Sequence, residues 1–215
     1  MKKSQQVKTL IRIYKSRKYS SFFNRDRFNK LEDLAEFYSG IKLGYDLLSE
    51  LPTKYLISVI QDYVLIRNSR TKFGDTNVID SFDDVFRSCY LLDDLFFTMK
   101  IGGFKTFYSN IFCYYIAETE HLLKEINELR FLECFQRVNV ITGVSKLKRE
   151  DILERLNKDL PVVDILKLSI TKQDEIYELT KEMINLTENS KKSLLKYVIK
   201  SINNNKLLHW LFFSN

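Results

Sequence analysis

Proline and glycine are scarce in this 215-residue chain, at two and six. That excludes a collagen-like or linker-like polymer. Cysteine is scarce too. Cys89, Cys113 and Cys134 are odd in number, far apart and set among apolar neighbours. They form no disulfide framework, lack metal-ligand spacing, and are expected as reduced core residues. Only two histidines are present, His121 and His209, which leaves little material for zinc or acid–base sites. No apolar run nears the ~20 residues of a membrane span. No apolar stretch follows Met1-Lys2-Lys3 before Arg12, so no secretory signal is read and a cytoplasmic location is expected.

Aromatic residues, in contrast, are plentiful, with 16 Phe and 12 Tyr, and the hydrophobic fraction is 45%. A sizeable core is therefore expected and disorder throughout is excluded. Lys and Arg number 34 against 28 Asp and Glu, a net +6. The excess is local. Residues 1–30 carry ten basic and one acidic side chain, a net +9. Residues 31–145 carry 11 basic and 17 acidic, a net −6, and residues 146–215 carry 13 and 10, a net +3. The expected organisation is a basic leader over 1–30, a helical core over 31–145 and a helical C-terminal extension over 146–215, packed on the core.

Helical periodicity dominates. The stretch Val7–Tyr14 fits a helix or a strand equally, since Leu10, Arg12 and Tyr14 alternate. Leu34, Phe37, Ile41, Tyr45 and Leu48 recur at three or four residues and predict a helix that Pro52 ends. A second helix follows Thr53, and a polar loop is expected over 68–77. Ser81 and Asp84 have the spacing of a capping box for a helix with Phe82, Val85, Phe86, Cys89, Leu92, Phe96 and Phe97 on its core side. Shorter helices are expected at Phe104–Asn110, around Ala117–Leu129 and over Phe131–Ile141. A charged helix from Lys146 to Leu156 should end before Pro161. Two more are expected, one after Thr171 and one over Lys191–Ile202 broken by Asn203-Asn204-Asn205. The fold class is all-α.

Four constellations bear on chemistry. The pairs Asp83-Asp84 and Asp93-Asp94 invite a magnesium reading. Ten helical steps separate them by about 80° around the axis and about 15 Å along it, so one ion cannot join them. Glu118, His121 and Glu125 share a helix face in acid–base spacing, but no second histidine stands where a di-iron set requires one; a surface salt-bridge helix is the expected reading. In the leader, Lys8, Arg12, Lys15, Arg17, Lys18, Arg25 and Arg27 interleave with Tyr14, Tyr19, Phe22 and Phe23, a composition suited to phosphate contact and base stacking. Gly102, Gly103 and Phe104, with Phe107, Tyr108 and Asn110, describe a tight helix corner with an aromatic anchor, or a groove beside one.

The stretch Ile101-Gly102-Gly103-Phe104-Lys105-Thr106-Phe107-Tyr108-Ser109-Asn110 resembles the signature of a bacterial all-helical family of largely unknown function. That signature is an Asn-Gly-Gly-Phe run, then Gln-Phe-Phe or similar, then Asn. The resemblance spans roughly Asp46 to Ile141 and includes the helix from Ala117 to Ile126. Here Ile101 and Thr106 replace the usual Asn and Gln, and no glycine stands near Phe112–Tyr115. One family member is described as a DNA-mimic protein. The resemblance therefore implies a protein that works by interaction. Imitation of phosphate charge by the whole chain conflicts with its net +6. A local acidic face of Asp80, Asp83, Asp84, Asp93 and Asp94 is the expected protein-binding surface, suited to a basic partner. The expected function is a non-enzymatic protein-interaction module, regulatory or immunity-type, with no cofactor and no metal. The alternative is nucleic-acid binding through residues 1–30. Membrane binding is not expected, because the leader's apolar positions form no clean face.

Overall fold

The computed structural model describes residues 2–16, 37–38, 41, 43–68 and 76–213, with residues 16, 68 and 206–213 described by their backbone alone. Among the described residues the chain is all-α, with ten α-helices, three 3-10 turns and no strand. It divides into two compact units, Met1–Arg87 with Leu195–Asn215, and Ser88–Leu194.

The first unit contains α1 (Lys3–Ser16), α2 (Tyr45–Leu48), α3 (Thr53–Asn68) and α4 (Thr76–Asp80). In α1, Val7, Leu10 and Tyr14 are buried at helical spacing while Lys8, Arg12 and Lys15 are exposed. The strand alternative fails here, because alternation would put Arg12 on the side of Leu10 and Tyr14. The described part of the leader is thus built into a core. The Tyr14 hydroxyl donates to Asp62 Oδ2 at 2.5 Å and lies 3.2 Å from the Tyr38 hydroxyl. A role for Tyr14 in base stacking is thereby overturned. Arg17, Lys18, Tyr19, Phe22, Phe23, Arg25 and Arg27 lie outside the described residues.

The partner of Tyr14 sits on α3, which is enclosed on every side from Val59 to Val64. Asp62 is 2% exposed on so enclosed a helix, and the Tyr14 hydroxyl donates to it where water would otherwise do so. Tyr14→Phe is therefore expected to cost about 1–3 kcal/mol, the range for losing a buried hydrogen bond to a charged acceptor. Urea unfolding at constant m-value checks this.

Three local expectations change. The helix predicted through Ile41 to Leu48 is interrupted. Ile41 and Leu43 are not helical, Gly44 is extended, and helix resumes only at Tyr45. Within the predicted loop, Thr76–Asp80 is helical, and residues 69–75 lie outside the described residues. The capping box does not form. The Ser81 hydroxyl donates back to the Val78 carbonyl at 2.7 Å, and the Asp83 carbonyl takes the amides of Phe86 and Arg87 at the start of α5 (Asp84–Ile101).

The second unit begins within α5. It continues through α6 (Gly103–Phe107), a 3-10 turn (Ile111–Tyr115), α7 (Ile116–Glu125), α8 (Leu129–Thr142), a second turn (Val144–Lys146), α9 (Arg149–Asn157), a third (Ile165–Lys167) and into α10 (Ile170–Phe213). Gly143 closes α8 at φ +74°, the left-handed cap that glycine adopts without penalty. The charged helix predicted from Lys146 starts at Arg149, with the Asp151 carboxylate accepting the Lys148 amide at 3.3 Å.

The two helices predicted after Thr171 are one helix of 44 residues. Asn203-Asn204-Asn205 does not break it. Thr180, Thr187 and Ser190 donate to carbonyls four residues back, and Asn205 Nδ2 donates to Ser201 O at 2.9 Å. Polar side chains that bond to the preceding turn leave the helix ladder intact. Across the unit α8 runs antiparallel to α10, with Arg130 paired to Glu182 and Arg137 to Glu175.

Candidate functional site

The glycine corner is built from α5, α6, α8 and α10. After Ile101 the chain reaches Gly103 at φ +59°, where a Cβ would stand 2.8 Å from the Thr180 methyl of α10. Both the dihedral and the close approach demand glycine there. The next turn delivers Phe104, Phe107 and Tyr108, all fully buried. Phe104 stacks on Phe135 of α8 at 5.8 Å, and Phe107 meets the same ring edge-on at 5.4 Å. Asn110 then ends the segment, its side-chain oxygen accepting the Ile111 amide at 2.8 Å. The corner is filled by its own rings.

A polar network leads outward from it. The Tyr108 hydroxyl donates to Asn139 Oδ1 at 2.9 Å, Asn139 Nδ2 donates to Glu120 Oε1 at 3.0 Å, and Gln136 Nε2 donates to Glu120 Oε2 at 3.1 Å. Asn139, Glu120 and Thr180 were not singled out from sequence. Asn139 was readable as the polar residue beside the buried positions Phe131, Phe135 and Val138.

The five predicted acidic residues separate. In the first unit Asp80, Asp83 and Asp84 are exposed around the turn between α4 and α5. Asp84 pairs with Arg87 Nη2 at 3.1 Å, and Arg87 Nη1 donates to the Asp80 carbonyl at 3.3 Å. The carboxylates of Asp80 and Asp83 have no hydrogen-bond or ion-pair partner among the described residues. In the second unit Asp93 is 3% exposed and pairs with Lys191 of α10 at 3.4 Å, and Asp94 is half-buried. Asp93 is therefore an interior ion-pair member and no part of a solvated face. His121 and Glu125 are exposed on α7 and Glu118 is half-buried. The side chain of His209 lies outside the description. Among the described residues no group of three or more His, Cys, Asp or Glu could hold a metal ion.

Titration is perturbed at the phenols and thiols. Burial, then the charges of Asp83 and Asp84, raise the Tyr45 phenol to about 12. Burial raises Cys113 to about 12 and Cys134 to about 11, and pushes Cys89 well up. All three cysteines are free and buried. Each raised group holds its proton more tightly folded than unfolded. Their contribution is complete below pH 9.0, the ordinary thiol value, and is lost as pH climbs toward 12. For Cys113 the loss is about 1.4 kcal/mol per pH unit within that window. Denaturant unfolding at rising pH should show stability level up to pH 9 and falling beyond it.

The comparisons bear on all of the unit that carries the corner and on short flanking parts of the first unit. The family model for DMP19-like protein matches residues 80–201, more than half of the chain. The chain belongs to the DMP19-like family. This match extends the resemblance read from the glycine motif well past Ile141, into α10, and leaves 46–79 outside. The DMP19-like region thus takes in the corner, the α8–α10 ion pairs and the Asp93–Lys191 pair together. No curated protein and no solved structure matches the chain. Among the described residues no helix is long and apolar enough to cross a membrane.

Proposed function

We propose that this DMP19-like chain is a non-enzymatic protein-interaction module, regulatory or immunity-type, that engages a basic protein partner through the exposed acidic turn of Asp80, Asp83 and Asp84. One observation carries the reading: the exposed carboxylates of Asp80 and Asp83 have no hydrogen-bond or ion-pair partner among the described residues, at a turn where Arg87 binds the Asp80 carbonyl and pairs with Asp84. Three acidic side chains against the single cation Arg87 leave an excess of negative charge, which a basic surface relieves while gaining orientation and encounter rate. The glycine motif supports the same reading by contrast, since its rings serve the interior. The filled corner leaves binding to the surface.

The test is affinity purification of the full chain from its native host, repeated with Asp80→Lys, Asp83→Lys and Asp84→Lys together. A protein recovered in stoichiometric amount by the native chain and lost with the triple variant is expected. Failure to recover such a protein, or recovery indifferent to the charge reversal, contradicts the reading.

A second reading has its own observation. Lys8, Arg12 and Lys15 share the exposed face of α1 and span about 10.5 Å, or about three axial phosphate steps of a nucleic-acid strand. Fluorescence anisotropy with a labelled oligonucleotide tests it. Charge reversal at these three should weaken binding far more than reversal at the exposed cations Lys124, Lys158 and Lys181. Equal losses would leave only net charge as the cause.

A further inference from the structure

The solvent side of α10 holds a stripe that its neighbours leave uncovered. Ile176, Met183, Thr187 and Ser190 turn inward and are buried. Opposite them, Ile170, Asp174, Tyr177 and Lys181 fall within about 60° of one another at about 100° per residue. Ile170 is 76% exposed and Tyr177 is 66% exposed. Ile184, half-buried, borders the same stripe one heptad after Tyr177.

We propose that this stripe pairs antiparallel with the same stripe of a second copy of the chain, about a two-fold axis at Tyr177. A two-fold contact requires a surface complementary to itself when reversed. Reversal about Tyr177 sets Ile170 opposite the partner's Ile184 and Tyr177 against the partner's Tyr177. It also brings Asp174 within one residue of the partner's Lys181, and the reverse pair forms by symmetry. The exposed Asp174 side chain has no ion-pair partner among the described residues, and Lys181 reaches only Glu178, at 3.8 Å. A foreign acidic or basic protein would meet one charge of each sign and gain from neither. A second copy reversed end to end meets opposite charges twice. The contact is about 21 Å long. It belongs with small interfaces, so the dimer is reversible and concentration-dependent.

Sedimentation equilibrium of the full chain over a wide concentration range tests this. The mass should rise from the 25.6 kDa of one chain toward twice that value. Asp174→Lys and Lys181→Asp should each weaken association about tenfold, and the double swap should restore it, because the two charges exchange places across the axis. Tyr177→Glu should leave monomer. Circular dichroism of each variant should match the native chain, since all three positions face solvent. Monomer at every concentration, a dimer indifferent to both reversals, or a double swap no tighter than the single variants would overturn the proposal.

Discussion

Phe135→Ala is expected to lower the unfolding free energy by about 3–5 kcal/mol, the range for emptying an aromatic site in a close-packed core. The residue is fully buried and, on α8, its ring meets both Phe104 and Phe107. Removing it takes from both rings their contact with α8, and α6 is too short at five residues to hold its position alone. Against a total stability of about 5–15 kcal/mol, such a loss is large. Guanidinium unfolding reads it directly. Phe135→Leu should lose distinctly less, because it keeps most of the volume. A change below ~1 kcal/mol for the alanine variant would mean that the rings do not bear on one another.

Gly103→Ala should cost about 2–5 kcal/mol. One part is the left-handed dihedral, φ +59°, worth about 1–2 kcal/mol for an L-residue. The other is the 2.8 Å approach to the Thr180 methyl, an overpacking penalty of about 1–3 kcal/mol. The two parts can be separated. Thr180→Ser removes the methyl, so the double variant should recover the packing loss and keep the dihedral loss. Gly102→Ala is the control. Gly102 lies outside the left-handed region, at φ −166°, and its new Cβ would meet the Thr106 side chain, whose hydroxyl can rotate away while its Cβ stays 3.1 Å off. It should cost clearly less than Gly103→Ala.

These two residues also mark what could be read from sequence. Paired glycines followed by Phe104, Phe107 and Tyr108 announce a corner, because few other residues turn a helix so sharply and the aromatic spacing is helical. The buried cysteines were legible from their apolar neighbours. The partners of the corner were not. Thr180 and Asn139 are brought to it by the packing of α8 and α10, and local pattern holds no information on which helices meet. The break expected at Asn203–Asn205 rested on intrinsic propensity. Asn205 instead spends its amide on the preceding turn, and the helix continues. Asp93 read as solvated because its neighbours Leu91, Leu92 and Leu95 gave no sign that Lys191, ninety-eight residues later, would supply the charge that permits burial. Acidic pairs in sequence do not announce which member faces water.

The acidic turn is the least legible part, since Asp80, Asp83 and Asp84 are ordinary surface residues until the structure separates them from Asp93. Hydrogen–deuterium exchange of the purified chain with and without its captured partner tests the central claim most directly. The account predicts new protection over residues 80–87 with the corner at 102–110 unchanged. Protection confined to α7 around His121, or to the basic face of α1, would contradict it.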